Sequence, residues 1–127
     1  MDDLVKLMEV CDINMGQSPV SASYNSDRRG LPFFQGNADF GELSPRIRLW
    51  CDAPTKIAEA GDLLVSVRAP IGAINIANCQ CCIGRGLAAL TAKAGVCDPS
   101  WLYFALVSRV PEMQMNTKCI TLQSIQK

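Results

Sequence analysis

The sequence predicts one domain with a core of short β-strands and a single helix near its C-terminal end. Three observations carry this. The length of 127 residues suits one compact domain and is too short for two ordinary ones. Short apolar runs alternate with Gly, Pro, Asn and Asp at close spacing, the pattern of layered β-structure. Only the segment after Asp98 combines a helix-starting residue with a helical apolar period.

Taken in order, residues 5–13 form a short apolar pattern that fits a brief strand or a single turn, and periodicity leaves the choice open. Residues 16–30 are polar and turn-rich, with Ser18, Pro19, Ser21, Ser23, Asn25, Ser26, Asp27 and Gly30. They read as a loop of about fifteen residues, a length often found in binding loops. Residues 31–36 make a strand ended by Gly36, and 37–42 a tight turn with Phe40 as an aromatic plug. Residues 47–50 alternate around Arg48 and read as a half-buried strand. The turn Ala60-Gly61-Asp62, with Asp62 fixing it, precedes the strongest strand, residues 63–68. A bend at 69–72 leads to strands at 73–77, 81–84 and 87–90, with Asn78-Cys79-Gln80 as a turn. The core is therefore expected between Leu63 and Leu90. In the helix, Asp98 suits the N-cap and Pro99 the first turn, while Trp101, Leu102, Ala105 and Leu106 share a face. Pro111 stops it, and residues 119–125 alternate as a returning strand would.

Composition excludes several functions. With 49% hydrophobic and 19% charged residues the chain is globular rather than disordered. Twelve basic residues balance twelve acidic ones, which argues against a polybasic binder held by a strong field. Histidine is absent, so Ser-His-Asp triads, Cys-His dyads and His-Glu-x-x-His zinc sites are impossible. Any general base would be a carboxylate, a lysine or a thiolate. Met1-Asp2-Asp3 opens no signal peptide, and no apolar run has membrane length, so a cytoplasmic protein with reduced thiols is expected. Cys79, Cys81 and Cys82 cluster without the second knuckle of a zinc site and read as buried thiols. Gly84-Arg85-Gly86 lacks the Lys and Ser/Thr of a phosphate loop and reads as a strand bulge or a close backbone approach. Asp39, Glu42 and Asp62 are the central carboxylates, and no acidic residue stands two before a lysine as in common nucleases. No catalytic residue, metal or cofactor is expected.

The arginines are more informative. Six of them (Arg28, Arg29, Arg46, Arg48, Arg68, Arg85) lie between positions 28 and 85. That stretch holds seven basic and five acidic residues, whereas residues 1–27 hold one basic and five acidic. Arg can read guanine, and Gln and Asn adenine. Gln17, Asn25, Gln35 and Asn37 lie in or beside the loops. By themselves these residues also fit ordinary solvated loops.

An ordered string of motifs separates the two. Gly16-Gln17-Ser18-Pro19, then Leu31-Pro32-Phe33-Phe34-Gln35-Gly36-Asn37-Ala38-Asp39-Phe40-Gly41, then Gly61-Asp62-Leu63-Leu64-Val65-Ser66-Val67-Arg68-Ala69-Pro70-Ile71-Gly72 resembles a target recognition domain of type I restriction-modification specificity (S) subunits. Residues 82–90 and Trp101-Leu102-Tyr103 continue the resemblance over almost the whole chain. It implies an α+β single domain, with a curved, mostly antiparallel β-sheet core and one or two flanking helices. It further implies binding of one half of a bipartite double-stranded DNA site, without chemistry of its own. The implied partners are a methyltransferase (modification) subunit and a restriction subunit, with no membrane. Residues 1–127 are expected to form one recognition domain, the spacer helix and second recognition domain lying outside it. Asn116 to Cys119 departs from the glycine-rich pattern usual before that helix.

Residues and resemblance together assign DNA contacts to Gln17, Ser18, Tyr24, Asn25, Arg28, Arg29, Gln35, Asn37, Arg46, Arg48 and Lys56, with Lys and Arg on phosphates and Arg, Gln and Asn on bases. The alternative is a related protein-interaction module that binds a methyltransferase or another protein without reading DNA; zero net charge favours it, the motif string favours DNA. An enzyme acting alone is the third class.

Overall fold

Alternation within the apolar runs decides how the chain layers. In the computed structural model, which describes residues 9, 11–68, 72–95 and 98–108, nine strands and one α-helix form an α+β domain. The strands are β1 (Cys11–Met15), β2 (Tyr24–Asn25), β3 (Leu31–Phe34), β4 (Leu49–Cys51), β5 (Ile57–Ala58), β6 (Leu63–Ser66), β7 (Ile74–Ile76), β8 (Cys81–Ile83) and β9 (Leu87–Ala92), followed by α1 (Pro99–Val107). They divide into two sheets, β1-β9-β6-β7 and β2-β4-β3-β8-β5. Every pairing is antiparallel except β3 with β8.

Successive side chains take opposite faces, and both faces of β6 are buried. Leu63 and Val65 of β6, with Ala88 and Leu90 of β9, point to the helix side and pack with Leu102 and Leu106. Leu64, Leu87 and Ala89 point the other way and meet Phe34, Ala58, Cys81 and Ile83 of the second sheet. On the far face of that sheet, Phe33, Cys51 and Cys82 pack with Tyr24 and Leu49. Each Leu or Phe fully buried in these layers contributes about 1.5–3 kcal/mol. The core thus extends beyond residues 63–90, because Phe33, Phe34 and Cys51 close the second sheet.

Local expectations hold with some differences. Residues 11–15 resolve as a strand because β9 supplies a full antiparallel partner, Cys11 opposite Ala92. Asp62 does brace its turn: its carboxylate accepts from the Glu59 amide at 2.9 Å and the Thr91 hydroxyl at 2.8 Å. The strand begun at Leu63 ends at Ser66 rather than Arg68, although the Val67 amide still donates to Gly86 O at 3.0 Å, in register with the pairing of Ser66 and Leu87. Asp98 caps α1 by accepting from the Ser100 amide at 2.7 Å. Trp101 does not share the buried face: Leu102 and Leu106, one turn apart, are buried against the sheet, Tyr103 and Ala105 pack partly buried against the same cluster, and Trp101 is 54% exposed. The expectations for 5–8, 69–71, Cys97, Pro111, 116–119 and 119–125 fall outside the described residues.

The sheets are joined where backbone touches backbone. Gly16 donates to Leu87 O at 2.9 Å and Gln17 to Ile83 O at 3.1 Å, so the chain leaving β1 passes from β9 to β8. A Cβ at Gly16 would lie 1.9 Å from Gly84 O, and one at Gly86 would lie 2.5 Å from Gln35 O. Of the two readings the Gly84-Arg85-Gly86 motif allows, the structure therefore has the close backbone approach.

Candidate nucleic-acid interface

Strand direction collects the polar residues. β3 and β8 run parallel, and β4 and β5 run antiparallel to them. The C-terminal ends of β3 and β8 and the N-terminal ends of β4 and β5 therefore share one rim of the second sheet. Gln35 follows β3, Arg85 follows β8, Arg48 precedes β4 and Lys56 precedes β5. Gln17 and Ser18 join this rim through β8: the Ser18 hydroxyl accepts from the Arg85 amide at 3.3 Å, and Thr55 donates its hydroxyl to Gln17 O. Gln17, Gln35, Arg46, Arg48, Lys56 and Arg85 are exposed, while Ser18 and Asn37 are half-buried. Among the described residues Arg46, Lys56 and Arg85 carry no ion pair.

Asp39 organises part of this rim from below. It ends a short 3₁₀ turn, Asn37–Asp39, and is buried. Its Oδ2 accepts from the Gln35 amide at 2.8 Å, and its Oδ1 accepts from Arg48 Nε at 2.8 Å and from Arg48 Nη2. The Asp39 carbonyl accepts from the Arg46 amide at 2.8 Å.

A second group lies along β4. The segment 16–30, expected as open loop, contains a 3₁₀ turn at Ser21–Ser23 and the strand β2. Asn25 is buried rather than presented at the surface, which corrects its expected place as a DNA contact. Its Oδ1 accepts from the Asp27 and Arg29 amides, both at 3.0 Å, and its Nδ2 donates to Arg29 O at 3.0 Å. An asparagine folding a turn onto itself needs its whole amide for that task. Tyr24 donates its hydroxyl to Pro19 O at 3.1 Å and sets its ring 4.7 Å from that of Phe33, so it is a support for the loop. Arg28 and Arg29 are exposed. Arg28 adopts φ 64°, unusual for a residue with a side chain, and its guanidinium stands 6.0 Å from the Trp50 ring centre. Arg29 reaches Asp27 at 3.5 Å and Asp52 at 3.7 Å.

The sequence reading left three residues off the site. Arg85 is displayed by the tight Gly84–Gly86 passage, a signal present in the motif itself. Asp39 and Trp50 emerge only from tertiary contacts. Chemically, the rim offers cations, amides and hydroxyls, which bind rather than cut. Among the described residues no group of three or more Cys, Asp or Glu could hold a metal, and no helix is long and apolar enough to cross a membrane. Cys51, Cys79, Cys81 and Cys82 are thiols outside any disulfide. Burial pushes Cys79 and Cys82 up, and burial with neighbouring thiols pushes Cys81 up to about 12, the reverse of a reactive thiolate.

Comparison with known proteins adds the following. No family model matches the chain. A candidate type I restriction enzyme specificity subunit, MjaX, of Methanocaldococcus jannaschii is 42% identical over 102 residues, covering 80% of this chain and 24% of that protein. The crystal structure of the HsdS subunit from Thermoanaerobacter tengcongensis is 53% identical over 95% of this chain and 30% of that one, with a TM-score of 0.88. A structure addressing complex assembly and conformational transition of the type I restriction-modification system matches with the same identity and TM-score, over 31% of its chain. The type I S subunit from M. genitalium, at 15% identity and a TM-score of 0.70, shares the fold. The chain spans a quarter to a third of the length of these relatives.

Proposed function

We propose that this chain, whose homologues and structural neighbours are specificity subunits of type I restriction-modification systems, reads one half of a bipartite site on double-stranded DNA. The observation that carries the reading is the rim of the second sheet. There Arg46, Lys56 and Arg85, free of ion pairs among the described residues, stand beside the exposed amides of Gln17 and Gln35. The cations suit phosphates and the amides suit base edges. Ser18, Asn37 and Arg48 belong to the rim, Arg28 and Arg29 add cations by the other end of β4, near Trp50 and Asp52, and Tyr24 and Asn25 serve by holding the loop. The chain performs no chemistry itself. Methylation and cleavage belong to a methyltransferase (modification) subunit and a restriction subunit in a cytoplasmic complex.

A neutral chain with few free cations binds weakly on its own. Each neutralised phosphate adds roughly 0.9 to the slope of log affinity against log salt, so a slope of about three is expected. Fluorescence anisotropy with duplex DNA over a salt series tests this, with and without a methyltransferase subunit. Arg28→Ala and Arg29→Ala should weaken binding, by about 1–3 kcal/mol where the side chain reads a base and by less where it touches phosphate. No binding at low salt, even with the methyltransferase subunit present, would replace this reading with that of a protein-interaction module. One observation favours that second reading: α1 exposes Trp101, Phe104 and Val107 beside a groove of about 360 Å³ lined by Leu43, Leu63, Ile76 and Tyr103.

A further inference from the structure

Arg48 differs from the other rim cations because its charge is already matched. Its side chain is 57% exposed, yet Nε and Nη2 both donate to one oxygen of Asp39, whose side chain is 3% exposed. A guanidinium held by this side edge keeps its end-on donors, on Nη1 and Nη2, free of the carboxylate. Those two donors form a fork that matches a pair of acceptors, as on the major-groove edge of guanine. The same carboxylate fixes the Gln35 amide through its other oxygen, and the Asp39 carbonyl fixes the Arg46 amide. Three rim residues from two strand ends are thus tied to one buried group.

We propose that Asp39 is a positioning residue that makes Arg48 a base reader rather than a phosphate cation, by neutralising its charge and fixing the orientation of its fork. The inference rests on the DNA-reading function proposed above. It separates two kinds of arginine on one surface. Arg85 and Lys56 contribute net charge and act alike on every sequence. Arg48 contributes direction and acts on one base pair. A structural role for Asp39 alone would not divide these effects.

The experiment uses the full chain with its methyltransferase subunit. Duplexes selected by the wild type from a randomised library are compared with an unselected duplex over a salt series. Asp39→Asn frees the Arg48 charge and loosens its fork. It is expected to lose about ten- to a hundred-fold of the preference for the selected duplex. Binding to the unselected duplex should be kept, with the salt slope steeper by about one unit as Arg48 turns to phosphate. Arg48→Ala should relax preference at one base pair and leave the slope unchanged, and Arg48→Lys should not restore it. Arg48→Ala also decides the matter if Asp39→Asn does not fold. Wild type that selects a sequence while Asp39→Asn keeps both its preference and its slope would overturn the positioning role and leave the DNA reading standing. So would an Arg48→Ala variant with preference intact and a slope lower by about one. Wild type that binds no duplex removes the DNA reading, and this inference with it.

Discussion

The first sheet, β1-β9-β6-β7, is built of strands three to six residues long, whereas no strand of the second, β2-β4-β3-β8-β5, exceeds four and two have only two. Both sheets bury apolar residues in the layer between them, so burial alone does not distinguish them. The difference lies in where the chain goes next. Longer strands spend their residues on ladder and core, while short strands end quickly and return the chain to loops. The second sheet therefore has many strand ends for its size, and the exposed Gln17, Gln35, Arg48, Lys56 and Arg85 gather at them. Under the proposed function, rigidity and recognition fall to different sheets of one small core.

Substitutions that respect this division should behave differently on the two sides. The largest loss belongs to the first sheet: Leu64→Ala, at a fully buried site between the sheets, should cost about 2–5 kcal/mol in urea unfolding. Gly16→Ala should come next, because the new Cβ meets the backbone carbonyl of Gly84, which cannot swing aside as a side chain could. A loss of about 1–3 kcal/mol, or failure to fold, is expected in the same assay, and a neutral result would mean that the junction is looser than its contacts. The interlayer also answers to alkali. Cys81 holds its proton up to about 12 against an ordinary 9.0, so the folded chain retains a proton that the unfolded chain releases between those values. Stability should be intact below about pH 9 and fall as pH rises toward 12, with a shallower fall in Cys81→Ala. At the rim, Arg85→Ala and Lys56→Ala should shift stability by no more than about 0.5 kcal/mol. Each should lower the salt slope of DNA binding by about one. A rim variant that melted early would erase the contrast between the sheets.

Most of the first sheet was legible in the sequence because it reads as short apolar runs between clear turns, as Leu63 to Ser66, buried at every position, does after Gly61-Asp62; β1 was not, because its pattern fits a strand and a turn equally. The helix start was legible because Asp98-Pro99 carries local chemistry that needs no tertiary partner. β2 was not, since two residues make no period and Tyr24–Asn25 pairs only because Trp50 and Cys51 arrive beside it. Trp101 was misplaced because a helical face is decided by what it packs against, and Leu102 and Leu106 take that role. Among the site residues, exposure followed from polarity at Gln17, Gln35 and the arginines. Asn25 broke the rule because its amide completes a turn, and Asp39 because its partners lie on another strand end.

The pairing of β1 with β9 sets a clock on synthesis. Cys11 lies opposite Ala92, so β1 leaves the ribosome 81 residues before its ladder exists. At roughly 5–20 residues per second, its apolar edge waits on the order of ten seconds without a partner. The parallel pairing of β3 with β8 adds a second long delay, Phe33 awaiting Cys82. A nascent chain of this topology folds late and all at once, and until then it displays unpaired strand edges of the kind that chaperones hold and neighbouring chains capture.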